Sequence, residues 1–188
     1  MPRRTLLKWL SLGLGAGLGG SPMSLLARDV AATVLGQTIY RDELRVPEDL
    51  GPLIIRPLLL RFAAEHRLTA TSAEVDELQS ALKMPPLPAG LTAAERAELR
   101  KIPEGMVLDW KVSRALYRRY GGDVIFQQAN PLEPVGAMRR FLEEQERSGA
   151  FVIHSATDRE RFYAYYTRTH PFVVPASEVN YDKPWWRK

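Results

Sequence analysis

Apolar side chains recur at spacings of three and four residues along most of the chain, which is the period of an amphipathic α-helix. The longest such run begins at Pro103 and stops before Gly121 and Gly122, a residue type that commonly ends helices. One stripe along this run contains Met106, Trp110, Ser113, Tyr117 and Tyr120. The pattern therefore predicts a helix over residues 103–120 with one buried face.

Capping boxes mark further helix starts. In this motif a Thr and a Glu three residues later each accept a hydrogen bond from the other's backbone amide. The three pairs are Thr71 with Glu74, Thr92 with Glu95, and Thr157 with Glu160. Asp42 is another candidate N-cap, and Pro57, Pro103 and Pro134 suit the first position of a helix. We expect helices over residues 57–67, 72–83, 93–100, 103–120 and 134–148, and one that begins at 157.

Three short segments favour extended structure because they are rich in β-branched and aromatic residues. Residues 30–39 are predicted to form a strand or a hairpin around Gly36, and residues 123–126 and 151–153 could pair as two short strands. The predicted fold is mainly α, a single irregular helical domain of about five to six helices with a minor two-stranded β element.

The first 27 residues have the pattern of an export signal. Arg3, Arg4 and Lys8 precede an apolar, glycine-rich run from residue 9 to residue 20. Secretion signals need this order because the positive end stays in the cytoplasm while the apolar run enters the membrane. The paired arginines resemble the twin-arginine motif, and an ordinary signal with two adjacent arginines is the alternative.

Cleavage of this signal is weakly specified, so an uncleaved anchor is a second alternative. A cut after Ala27 would put Leu25 where a small residue is preferred.

No later stretch approaches the roughly 18 apolar residues of a membrane-spanning helix. The chain is expected in the periplasm, with residues 28–170 as a helical domain, residues 171–188 as an irregular aromatic tail packed on it, and membrane contact only through an uncleaved signal.

Charge and cysteine content exclude several classes of function. The chain has 26 basic residues against 22 acidic ones, and three of the basic residues lie in the signal, which has no acids. The remainder is nearly neutral, which argues against nucleic acid as a partner. The chain has no cysteine, which excludes disulfides and thiolate chemistry.

Part of the sequence resembles a known family. The matching residues are 34–39, 43–44, 63–65, 68–71 and 74–75. Their order is similar to the N-terminal region of SurA-type periplasmic chaperones and their parvulin-family peptidyl-prolyl isomerase relatives. The resemblance covers about 50 residues of common types and implies a helical module that cradles extended or non-native polypeptide.

The same family often carries a parvulin domain, which isomerises the bond before proline. Residues 120–126 look like a glycine-rich parvulin segment, but a helix stop explains Gly121 and Gly122 equally well. The family's histidine should lie upstream, and His66, the only upstream histidine, falls in a predicted helix. The resemblance therefore does not imply an intact isomerase site.

No pattern of catalytic or metal-binding residues stands out. His66, His154 and His170 are the only histidines, and their spacing matches no metal motif. Glycine loops for nucleotides and nucleophile elbows are also missing from the sequence. We expect no catalytic residue, metal or cofactor.

Aromatic residues are the unusual feature of the chain. One interpretation is that they fill the core and that the tail wraps over it; the other is that some form a surface for apolar side chains of a bound peptide. The candidate peptide-binding residues are Trp110, Tyr117, Tyr120, Tyr163, Tyr166 and Trp185.

The predicted function is chaperone-like binding of extended or non-native polypeptide. The alternatives are a peptidyl-prolyl isomerase with a degenerate site and an accessory protein for one envelope partner.

Overall fold

The computed structural model describes residues 28–128 and 131–187. Its elements in chain order are β1 (Val30–Val34), β2 (Gln37–Tyr40), α1 (Leu50–Glu65), α2 (Ser72–Ala81), α3 (Ala93–Tyr120), α4 (Val135–Arg147), β3 (Phe151–Ile153) and α5 (Ala156–Thr167). The described part is mainly α, with a small antiparallel sheet. The predicted export signal, residues 1–27, lies outside the described residues.

The sheet has three strands in the order β2-β1-β3, so the prediction of a two-stranded element was wrong. β1 and β2 form a hairpin around Leu35 and Gly36, which both have positive φ, as a tight two-residue turn requires. β3 pairs with β1, where Val34 lies opposite Phe151. Residues 123–126, predicted to pair with β3, instead make isolated bridges from Ile125 to Glu133 and Val173.

Two prolines that were predicted to start helices lie inside them. α1 begins seven residues before Pro57. It extends across Pro57 because Leu50 and Ile54 are buried in the same row as Leu58, and this packing outweighs the lost backbone hydrogen bond. Pro103 is likewise buried inside α3, which joins the two helices predicted over residues 93–100 and 103–120 into one.

Two of the three predicted capping boxes are confirmed. The hydroxyls of Thr71 and Thr92 each accept the amide of the Glu three residues later, at 3.3 Å, and each Glu carboxylate accepts the Thr amide at 2.8 Å. The third was wrong, because Ser155 caps α5 by accepting the amide of Asp158. The start predicted at Asp42 is only a single 3₁₀ turn, Arg41–Glu43.

The main core lies between the sheet and α1, α4, α5 and the second half of α3. Its largest fully buried side chains include Ile54, Leu58, Leu116, Phe141 and Phe151. α4 starts in close contact with the loop after α3, since a Cβ atom on Gly136 would lie 2.5 Å from the amide nitrogen of Asp123. Glycine at this position allows the two backbones to meet.

A second apolar cluster, which we call the covered cluster, joins α2, α3 and the tail. It consists of Val75, Leu78, Val107, Trp110 and Trp186. The tail, residues 171–187, has no helix or strand and lies against α3. Tyr181 packs on Tyr117 with ring centroids 4.9 Å apart, and its hydroxyl donates to the carbonyl of Leu132 at 2.6 Å.

Candidate functional site

A largely apolar groove lies between α1 and α3, and we call it the open groove. Its volume is about 560 Å³. It is lined by Pro52, Ile55, Arg56, Leu59 and Leu60 of α1 and by Gly105, Leu108, Asp109 and Val112 of α3. Its size and its lining of aliphatic side chains are typical of sites that accept apolar groups.

The groove exists because α1 is apolar on more than one face. The row of Leu50, Ile54 and Leu58 is buried in the main core. A second row faces outward, and there Leu53 is 42% exposed and Leu60 is 52% exposed. A helix with apolar residues on several sides normally packs on several sides, so the outer row of α1 is a candidate contact surface.

α3 completes the groove with a gap opposite the leucines of α1. Gly105 has no side chain, and a Cβ atom placed there would meet no atom within 4 Å. Leu108, one turn further along, is partly buried against the main core. The groove therefore has an open end at Gly105 and a firm aliphatic wall at Leu108.

Two ionisable side chains, Arg56 and Asp109, are among the lining residues. Asp109 is partly exposed, but desolvation by the surrounding protein raises the pKa of its carboxyl group above the usual value, and the negative charge of Glu133 raises this pKa further. The surroundings thus disfavour the charged carboxylate. Arg56 and Asp109 can make polar contacts with a ligand, but most of the groove surface is apolar.

The predicted aromatic residues Trp110 and Trp185 both pack on Trp186 of the tail, and neither lines the groove. Trp110 is only 4% exposed, and its ring packs edge-on against Trp186 at 5.7 Å between centroids. Trp185 is half-buried and packs edge-on against Trp186, at 5.3 Å between centroids. Tyr117 lies nearby on α3 against Tyr181 of the tail.

The other three candidates pack against the main core. Tyr163 is buried and its hydroxyl donates to Glu146 at 3.1 Å. Burial and a hydrogen bond with Glu144 raise the pKa of Tyr120 to about 12, and burial raises that of Tyr166 to about 12. None of the six predicted residues lines the open groove.

The sequence interpretation missed the groove residues, although a signal was present. Residues 52–60 read PLIIRPLLL, in which apolar residues fill adjacent positions instead of one helical stripe. Such a run in a helix predicts two apolar faces, and one of them can remain on the surface.

The three histidines lie in three separate environments. His66 stacks on Phe62 with centroids 4.0 Å apart, His154 lies 3.4 Å from the hydroxyl of Thr33, and His170 lies 2.8 Å from the carbonyl of Tyr165. Within residues 28–128 and 131–187, no group of three or more His, Cys, Asp or Glu side chains could hold a metal. None of the helices described there is both long and apolar enough to cross a membrane.

The segment that resembles a parvulin loop follows α3 directly. Gly121 and Gly122 have φ of 61° and 96°, so they turn the chain out of the helix. A pocket next to them is lined by Gly122, Asp123, Ile125 and His170, and His66 is not among its lining residues. The arrangement of this segment is that of a helix end.

Comparison of the chain with protein-family models, curated proteins and solved structures found no match.

Proposed function

We propose that this chain binds extended or non-native polypeptide in a chaperone-like manner, and that the open groove takes the client's apolar side chains. The observation that carries the proposal is an aliphatic groove of about 560 Å³ beside leucines that are half exposed. Leaving such side chains in water is unfavourable, and contact with a client removes them from it.

The expected affinity is modest. Burial of one aliphatic side chain contributes about 1.5–3 kcal/mol, and the groove has room for only a few. Association costs at least about 4 kcal/mol in lost translational and rotational freedom. We therefore expect dissociation constants near or above about 1 μM. Binding of this strength lets a client dissociate readily.

The sequence of residues 1–27 supports the further proposal that the chain acts in the periplasm. A fusion of the full chain to a reporter that is active only after export tests this. We expect reporter activity that is lost when Arg3 and Arg4 are both replaced by Lys, if export uses the twin-arginine route. Reporter activity that persists in this variant would identify an ordinary signal, and none in the unmodified fusion would contradict export.

A paired substitution tests client binding. Leu60→Asp puts a charge on the exposed edge of the groove and should weaken binding of unfolded clients about tenfold or more, because it removes apolar contact and adds a desolvation cost. The matched control is Leu99→Asp, since Leu99 is also a helical leucine, is 42% exposed and does not line the groove.

The measurement is suppression of aggregation of several unrelated unfolded proteins, together with binding of a labelled apolar peptide. Equal loss in both variants would show that general surface charge, and not the groove, determines binding. The isomerase and accessory-protein alternatives stay predictions, because no observation on the described residues favours either. A proline-peptide isomerisation assay and a search for one dedicated envelope partner would test them.

A further inference from the structure

A second concavity differs from the open groove in its charge. It has a volume of about 310 Å³ and lies between the residues that follow α1 and the second half of α3. Its lining residues are Arg67, Leu68, Thr69, Lys111, Arg114, Ala115 and Arg118. Four of these are basic and none is acidic, although the chain outside its signal is nearly neutral. We call this concavity the basic pocket.

Acidic neighbours balance two of the four positive charges. The ammonium group of Lys111 lies 2.6 Å from the carboxylate of Glu74 and donates to the carbonyl of Thr69 at 2.7 Å. Arg118 lies 3.4 Å from Asp182, in an exposed pair that solvent screens. Arg67 and Arg114 make no ion pair with any of the described residues. The pocket therefore carries excess positive charge.

Arg114 also has an unsatisfied hydrogen-bond donor. Its Nε atom is buried and has no acceptor among the described residues. Its guanidinium lies over the ring of Trp110, 5.4 Å from the centroid, which restricts its movement. A buried donor without an acceptor is destabilising, so an acceptor supplied by a ligand would be bound favourably.

The backbone at Arg67 gives independent support. Arg67 has φ of 53°, in the left-handed region that favours glycine. The amide of Leu68 donates to the carbonyl of Ala63 and the amide of Arg67 to that of Ala64, so Arg67 occupies the helix-ending position where glycine is most common. An arginine at this position is unfavourable for the fold alone, and strained residues of this kind are concentrated at functional sites.

We propose that the basic pocket binds an oxyanion, a phosphate or carboxylate group, with Arg67 and Arg114 as its main ligands. The guanidinium group matches both anions because its N–H donors form a planar fork that can make two parallel hydrogen bonds. This site does not depend on the function of the open groove.

The test is a titration of the full chain with inorganic phosphate and, separately, with acetate, at constant ionic strength set by sodium chloride. Binding is followed by the Nε–Hε resonance of Arg114 in nitrogen-proton correlation spectra and by calorimetry. We expect a saturable shift with at least one anion. The stronger of the two identifies the preferred class of ligand.

The structure offers a matched pair of variants. Arg67→Gly should relieve the backbone strain and still weaken anion binding about tenfold or more, as expected for loss of one charged hydrogen bond. Lys83→Gly is the control, because Lys83 ends α2 with φ of 50° and lies outside the pocket. It should relieve similar strain and leave anion binding unchanged.

No saturable shift with either anion would overturn the proposal, since water alone would then satisfy Arg114. Equal affinities in the two variants would overturn it as well. A structural role for Arg67 predicts the opposite pattern, in which Arg67→Gly lowers the thermal midpoint. Client binding in the open groove is measured separately, so the two proposals can fail independently.

Discussion

Helix α3 carries two apolar surfaces, and within residues 28–128 and 131–187 only one of them is covered by other parts of the chain. Towards α2, Val107 and Trp110 are buried beneath Trp186 of the tail. Towards α1, Leu108 and Val112 line an open groove. The difference is that the tail supplies aromatic rings to the first surface, whereas the second ends in exposed leucines. The first surface stabilises the fold, and the second is the one at which we propose that clients bind.

Polar contacts hold the tail over the covered cluster. Arg187 makes two hydrogen bonds to the carboxylate of Glu77 on α2, one of them at 2.6 Å. Tyr181 donates to the carbonyl of Leu132. Polar contacts thus hold the tail at Tyr181 and at Arg187, on either side of Trp186 in sequence. No corresponding contact is described across the open groove.

The largest expected effect is loss of stability when the covered cluster is opened. Trp110→Ala should lower the free energy of unfolding by about 3–5 kcal/mol, because it leaves a cavity beneath Trp186. The half-buried Trp185→Ala should cost clearly less. Denaturant unfolding of both variants gives the two values. A stable Trp110→Ala protein that no longer binds clients would reverse the roles we assign to the two surfaces.

A smaller effect is expected from the capping boxes, which have the same geometry in two different settings. Thr71→Ala should lower the free energy of unfolding by about 1 kcal/mol, because α2 supports the covered cluster. Thr92→Ala should cost less, since the first turns of α3 are exposed and can fray without opening a core. The same denaturant measurement compares them. Equal costs would mean that α2 and the start of α3 contribute equally to the cooperative fold.

Acid should weaken the covered cluster selectively. Hydrogen bonds from Arg187 lower the pKa of Glu77. Burial alone would raise the pKa of Glu74, but hydrogen bonds from Lys111 and Thr71 outweigh it and the net shift is downward. A carboxylate with a lowered pKa stabilises the fold above its unfolded pKa, about 4.3, and this stabilisation is lost as pH falls through the folded pKa.

Hydrogen exchange at residues 181–187 should therefore accelerate as pH falls below about 4, after correction for the intrinsic pH dependence of exchange. Residues 52–60 should change less, because the recorded hydrogen bonds and ion pairs of these two carboxylates go to Thr71, Lys111 and Arg187 and not to α1. The Glu77→Gln variant should show faster tail exchange already at neutral pH. Acid acceleration that is uniform over both regions would indicate global unfolding rather than release of the tail.

Local signals in the sequence predicted most of the helices. The boxes at Thr71 and Thr92 are confirmed because four consecutive residues contain the whole interaction. Predictions failed where distant contacts decide the structure. Burial of Leu50 and Ile54 allows α1 to continue across Pro57. The strand that pairs with β3 is β1, which lies more than 100 residues away in sequence.

The open groove could not be derived from periodicity. Ile54 and Leu58 are buried, while Ile55 and Leu59 line the groove, yet the two rows have the same composition. The positions of the sheet, α3, α4 and α5 around α1 decide which row is covered. The tail posed the same problem, because its adjacent tryptophans differ in burial: Trp186 is buried and Trp185 is only half-buried.

Hydrogen exchange with and without an unfolded client tests whether clients bind in the open groove. We expect a saturating, permanently unfolded client to slow exchange in residues 52–60 and 105–112 and to leave residues 181–187 unchanged. Protection of α2 and the tail, with α1 unaffected, would contradict it and would place the client on the covered cluster instead.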